Sequence, residues 1–130
     1  MCGIVGFSKY SQDAGEILRE MLKPIQHRGP DATNTHIASN IALGHQRLIV
    51  IEPEGGEQPR VDTETNNALV FNGEIYGYKK HIEELNKLNI KLNDNSDTEV
   101  LFQYLQKYGV ESTLEKINGM FAFAYFDAIK

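Results

Sequence analysis

The chain has a single cysteine, no apolar run longer than seven residues and no Gly-rich phosphate loop, and each shortage removes a class of function. One thiol, Cys2, excludes an internal disulfide, and no apolar stretch behind a positive charge at the N-terminus resembles a secretory signal. The expected setting is therefore reducing and cytoplasmic. The longest apolar run, residues 120–126, falls far short of the ~20 residues of a membrane helix, so no membrane partner is expected. A net charge of -5 argues against a polyanionic partner, and no nucleic acid is expected. The four histidines, His27, His36, His45 and His81, lack paired metal-ligand spacing and read as structural, so no metal is expected.

What is present fits one domain. A chain of 130 residues can bury roughly two-thirds of the surface its unfolded form exposes, and a content of 41% hydrophobic and 24% charged residues is ordinary for a globular protein. Gly3-Ile4-Val5-Gly6-Phe7 reads as a strand with Cys2 at its mouth. Ile17, Leu18, Met21, Leu22 and Ile25 have helical spacing, with Pro24 disturbing the last turn, and His27-Arg28-Gly29-Pro30-Asp31 reads as a turn. Residues 35–38 and 41–45 pair as a hairpin around Ser39-Asn40, and residues 48–51 form a further strand. Residues 54–59 are a loop, and residues 68–71 a short strand that ends in a sharp turn at Asn72-Gly73.

Ile82, Leu85 and Leu88 mark one helix. Val100, Leu101, Tyr104, Leu105 and Tyr108 mark a second, opened by Ser96 and Glu99 as a capping box with Asp97 in the first turn. A third, short helix around Leu114 and Ile117 ends at Asn118-Gly119, and residues 120–126 read as a strand covered on both faces. Strands and helices do not alternate regularly, which favours layered α+β over a doubly wound parallel sheet.

Cys2 follows the initiator methionine, a setting in which that methionine is normally removed. Its thiolate would be a nucleophile, and its own α-amine, with a reference pKa of about 8, a base close at hand. Asn72-Gly73 has two readings, a turn dipeptide or a pair of oxyanion donors in which an amide and a backbone N–H point at one oxygen. Arg47, Glu74 and Asp97 default to surface charges, yet one cation with two anions matches the carboxylate and ammonium of a free amino acid.

Seven segments make a resemblance specific: Met1-Cys2-Gly3-Ile4-Val5-Gly6, His27-Arg28-Gly29-Pro30-Asp31, Gly44-His45-Gln46-Arg47-Leu48, Gly56-Glu57-Gln58-Pro59, Phe71-Asn72-Gly73-Glu74-Ile75-Tyr76, Ser96-Asp97-Thr98-Glu99 and Gly119-Met120-Phe121-Ala122-Phe123. In this order they resemble the glutamine-hydrolysing domain of class II amidotransferases. The type is that of asparagine synthetases and their surface-polysaccharide relatives, more than of glucosamine-phosphate synthase or amidophosphoribosyltransferase.

The resemblance implies a four-layer αββα sandwich of the N-terminal-nucleophile hydrolase type, spanning residues 1–130 and incomplete at its C-terminus. It implies hydrolysis of glutamine to glutamate and ammonia through a cysteinyl thioester. Cys2 would be the nucleophile, Asn72 and Gly73 the oxyanion hole, Arg47 the partner of the substrate carboxylate, and Glu74 and Asp97 those of its ammonium. Backbone groups at Leu48 and Val50 would receive the side-chain amide, and Gln58 would lie in a loop bordering the pocket. No cofactor is implied for this domain; ATP and magnesium belong to a C-terminal synthetase domain that is absent here and is the expected partner. The ammonia acceptor would be aspartate by family frequency, or a sugar acid on a polysaccharide precursor. A strand edge left open after residue 126 leaves room for a homodimer. The alternative is an inert glutamine-binding or interaction module, motivated by truncation and by a retained Met1 that would block the amine of Cys2.

Overall fold

The computed structural model describes residues 1–9, 13–50 and 55–130. It is an α+β chain with two antiparallel three-stranded sheets. The first has the order β1-β3-β2, from β1 (Gly3–Ser8), β2 (Ala32–Ile37) and β3 (Ile41–Arg47). The expected hairpin forms between β2 and β3, closed by the Ala38 N–H donating to the Ile41 carbonyl at 2.9 Å. Helix α1 (Ala14–Leu22) starts where the Asp13 carboxylate accepts from the N–H groups of Gly15 and Glu16. Pro24 has no N–H for an α-helical bond, and the chain continues from Lys23 to Arg28 as a 3-10 helix, so the α-helix stops short of Ile25.

Strand alternation sorts the side chains of the first sheet. Val5, Phe7 and Ala42 pack with Ala14 and Leu18 of α1. Ile4, Ile41 and Leu43 turn the other way, toward Ala68 and Val70. Cys2 is in phase with Ile4, and His45 and Arg47 with Leu43, so all three belong to this second face.

The second sheet has the order β4-β5-β6, from β4 (Arg60–Val61), β5 (Ala68–Ile75) and β6 (Gly119–Phe126). Leu69, Phe71 and Ile75 of β5 face helices α2 (Tyr78–Lys87) and α3 (Asp97–Lys116), where Leu85, Val100, Leu101, Tyr104 and Leu105 complete the largest core cluster. Ala68 and Val70 face the first sheet, and Asn72 and Glu74 fall in phase with them. α3 is interrupted at Gly109, with φ 78°, so the second and third helices read from the sequence are its two parts.

Four expectations need correction. Residues 48–50 form no strand, and Ile51, like Glu54 of the next loop, lies outside the described residues. Asn72-Gly73 is no turn, since β5 runs through it to Ile75. The glycine is required there for another reason: φ is +151°, and a Cβ would stand 2.2 Å from the Met120 carbonyl of β6. Except at Phe126, which packs against Leu43, Ala68 and Val70, β6 is covered on one face only. Phe121, Phe123 and Tyr125 meet the helix core, while Met120, Ala122 and Ala124 are exposed because the first sheet packs over β5. The capping box is half formed, with Ser96 Oγ accepting from the Glu99 N–H while Asp94, in place of Glu99, takes the Ser96 N–H.

Candidate active site

Where the two sheets face each other beyond Leu43 and Val70, apolar pairs give way to Arg47 and Cys2 on one side and Asn72 and Glu74 on the other. A cavity of about 200 Å³ opens there. All eight residues singled out from the sequence line it: Cys2, Arg47, Leu48, Val50, Asn72, Gly73, Glu74 and Asp97. They come from the residue just before β1, from β3 and the segment after it, from β5, and from the first turn of α3.

The Cys2 sulfur is bracketed by one backbone. The Leu48 N–H donates to Sγ at 3.3 Å, and Sγ–H faces the Leu48 carbonyl at 3.6 Å. No side chain that accepts protons is hydrogen-bonded to the thiol among the described residues. The Arg28 Nε–H donates to the Cys2 carbonyl at 3.1 Å, and the Asp31 carboxylate accepts from the Ile49 N–H at 2.7 Å, so the 28–31 segment holds both Cys2 and the strip beside it. Met1 precedes Cys2, is 64% exposed and also lines the cavity. Val50 stands at the rim, 77% exposed.

Along β5 the open side of the strand shows a pattern. β4 pairs only with Ala68 and Leu69. Beyond it, the Phe71 N–H is taken by Gln58 Oε1 at 2.5 Å, the Phe71 carbonyl by His45 Nε2 at 3.2 Å, and the Ile75 N–H by Asp97 Oδ2 at 3.1 Å. Backbone groups in a strand alternate sides, so the Gly73 N–H points to this same side, and no residue outside the ladder takes it. The Asn72 side-chain oxygen is buried without a partner, whereas its nitrogen makes no hydrogen bond and is not buried. Two donors thus stand next to each other on the cavity wall.

One cation, Arg47, and two carboxylates, Glu74 and Asp97, line the same cavity. Arg47 is largely buried and one Nη donates to the Gly55 carbonyl. Asp97 is buried, and its pKa is raised, first by that burial and further by the neighbouring Glu74 carboxylate, against the hydrogen bonds from Ile75 and Thr98. A cation placed between Glu74 and Asp97 would relieve that repulsion.

Sequence reading missed the frame behind the site. Arg60 pairs with Asp94 and stands 3.4 Å from the fully buried Glu99. Asp94 also accepts from the Gly56 N–H at 3.0 Å and from Ser96. Burial pushes this carboxyl up, but the bonds from Ser96, Gly56 and Arg60 win and hold its pKa at about 2. Apart from the local Ser96 bond, these contacts join residues 34 or more apart, so no local pattern announces them. Gln58 does not line the cavity; it is buried behind the wall and reaches Thr98 Oγ1 at 3.4 Å. Among the described residues no group of three or more His, Cys, Asp or Glu side chains is placed to hold a metal ion, and no helix is long and apolar enough to cross a membrane.

A lone thiol at the second position, two adjacent donors on a strand, and one cation with two anions thus meet on one cavity. Residues 1–130 match the family described as the glutamine amidotransferase domain, and the chain belongs to that family. Among particular proteins, it is 38% identical over 128 residues to the glutamine-hydrolysing asparagine synthetase 1 of Bacillus subtilis (strain 168), covering 95% of this chain and 20% of that protein. It is 36% identical to the glutamine-hydrolysing asparagine synthetase of Triphysaria versicolor, with 98% and 22% covered. With asparagine synthetase B of Escherichia coli (strain K12), also glutamine-hydrolysing, the identity is 33%, with 100% and 24% covered. The chain spans only a fifth to a quarter of the length of these relatives.

Proposed function

We propose that this domain hydrolyses glutamine to glutamate and ammonia through a thioester on Cys2, and that its helices and facing sheets form the four-layer αββα sandwich of an N-terminal-nucleophile hydrolase. The observation that supports this most is the meeting, on one cavity, of a thiol with no bonded side-chain base and two adjacent unpaired donors. Removal of Met1 frees the α-amine of Cys2, which takes the thiol proton. The thiolate attacks the side-chain amide carbon of glutamine, and the oxygen that becomes negative is met by the Asn72 amide and the Gly73 N–H. The C–N bond breaks as the α-ammonium returns its proton to the leaving nitrogen, releasing ammonia. Water then gives a proton to the amine and attacks the thioester, the C–S bond breaks, and glutamate leaves.

Arg47 binds the substrate's α-carboxylate, and Glu74 and Asp97 its α-ammonium. A substrate held at both ends keeps its amide over Cys2. The steps need no cofactor in this domain; ATP and magnesium would serve a synthetase portion that uses the ammonia, with asparagine synthesis the first choice on the relatives' names. A cytoplasmic setting fits a catalytic free thiol.

The second reading, an inert glutamine-binding module, has one observation behind it, which is Met1 lining the cavity with the Cys2 nitrogen locked in a peptide bond. Intact mass combined with a glutamine-mimicking diazo-ketone separates the two. The enzyme reading predicts loss of one methionine and alkylation at Cys2, located by peptide mapping, with glutamate formation abolished in step. A processed, folded sample whose Cys2 stays unmodified would rule it out.

A further inference from the structure

The donors of the site sit on a part of β5 that has lost its neighbouring strand. Antiparallel register pairs Arg60 with Leu69, so two residues further along Gln58 stands opposite Phe71. There the ladder has ended, yet both backbone groups of Phe71 on that side are taken by side chains. Gln58 Oε1 accepts from its N–H, and His45 Nε2 donates to its carbonyl. Both side chains are buried, with exposures of 5% and 1%. A neutral imidazole has one N–H to give, and here it goes to Phe71, since Nδ1 is buried without a partner. The Phe71 carbonyl and the Asn72 N–H are one rigid peptide plane, so holding that carbonyl sets the direction from which the Asn72 side chain leaves the strand. Two residues beyond Gly73, Asp97 holds the Ile75 N–H. The stretch 72–74 is therefore pinned at both ends, leaving the Gly73 N–H between them for a ligand.

We propose that His45 and Gln58 are positioning residues of the glutaminase reaction, which replace the missing strand beside Phe71 and so aim the Asn72 and Gly73 donors at the forming oxyanion. The proposal rests on the reading of Asn72 and Gly73 as oxyanion donors. Neither side chain touches substrate. Gln58 also ties this strand to Thr98, beside the ammonium partner Asp97, so the same side chain keeps both parts of the site in register.

The test uses the intact native protein with Met1 removed, its active sites counted by diazo-ketone labelling of Cys2. His45→Leu and Gln58→Leu should each lower kcat per labelled site on the order of 10- to 100-fold with KM nearly unchanged, because misplaced donors are felt only as charge develops. His45→Gln keeps an amide N–H within reach of the Phe71 carbonyl and should recover most of the loss. In an Asn72→Ala background, His45→Leu should add little further loss, since its target is already gone. A purely structural role would lower thermal stability and the count of active sites but leave kcat per site at the wild-type value, and that result in Gln58→Leu or His45→Leu overturns the proposal. Should His45→Leu fail to fold, Gln58→Leu and His45→Gln carry the decision. Wild-type turnover in Asn72→Ala alone would instead remove the oxyanion reading on which the proposal stands.

Discussion

The two halves of β5 share one strand and one partner in β6, yet they do opposite things. In the first half Ala68, Leu69, Val70 and Phe71 are all buried, between the helix core on one face and Leu43 on the other. In the second half Asn72, Gly73 and Glu74 open onto the cavity, and only Ile75 returns to the core. The first half can be fully apolar because β4 and β6 satisfy its backbone as far as Val70, and the buried Gln58 and His45 side chains satisfy that of Phe71. Beyond Leu69 β5 has no strand on its open side, so polar side chains from three other parts of the chain satisfy Phe71 and Ile75, and the Gly73 N–H between them has no partner among the described residues. A scaffold and a site thus differ here by where one neighbouring strand stops.

Substitutions should therefore divide cleanly along the strand. The largest effect on stability belongs to the packed half. Leu69→Ala removes a fully buried side chain from the helix core and should cost on the order of 2–5 kcal/mol in denaturant unfolding, while kcat per folded molecule stays at the wild-type level.

A smaller effect follows from His45, at the boundary between the halves. Burial, followed by the Arg47 charge and against the Phe71 hydrogen bond, holds its pKa at about 4, below the ordinary 6.5. The ring is neutral in the fold, so its contribution is complete above about pH 6.5 and is lost as pH falls toward 4. That loss is on the order of 3 kcal/mol. His45→Gln lacks the titration. Comparing wild type with this variant in unfolding curves at pH 7 and pH 4.5 should show the steeper acid loss in the wild type.

The smallest effect has the opposite sign. Asp97 has a raised pKa, so its ionised form works against the ligand-free fold, and stability falls as pH rises from its ordinary value of 3.8 through the folded one. Asp97→Asn keeps an oxygen for the Ile75 N–H and should melt a few degrees higher at pH 7. Added glutamine should then raise the melting temperature of the wild type and not that of the variant.

The fold was legible wherever spacing or capping is local. Leu18 and Leu22, Leu85, and the Val100-Leu101-Tyr104-Leu105 set declare their helices, and Asp97 was placed in a first turn by Ser96. The strand through Asn72-Gly73 was misread because a dipeptide common in turns was judged without β6, whose backbone approach is what demands the glycine. β4 is two residues long, too short for any periodicity to show. That eight residues would gather on one cavity was legible through motifs, since these motifs are short runs of fixed residue type. Gln58 and His45 were visible as residues but not in role, because what they hold is a backbone 13 and 26 positions away.

The central claim is that the second half of β5 supplies charge-stabilising donors, and Asn72→Ala tests it most directly. The substrate carbonyl has little negative charge until Cys2 attacks, whereas the tetrahedral intermediate places nearly a full charge on that oxygen, so the Asn72 amide matters most at the barrier. Steady-state glutaminase kinetics on protein shown by thermal melting to be folded should give a kcat lower by a factor on the order of 10²–10³, with little change in KM and with residual turnover supported by Gly73. Wild-type kcat in a variant that melts slightly lower would make Asn72 a structural strand residue and contradict the account.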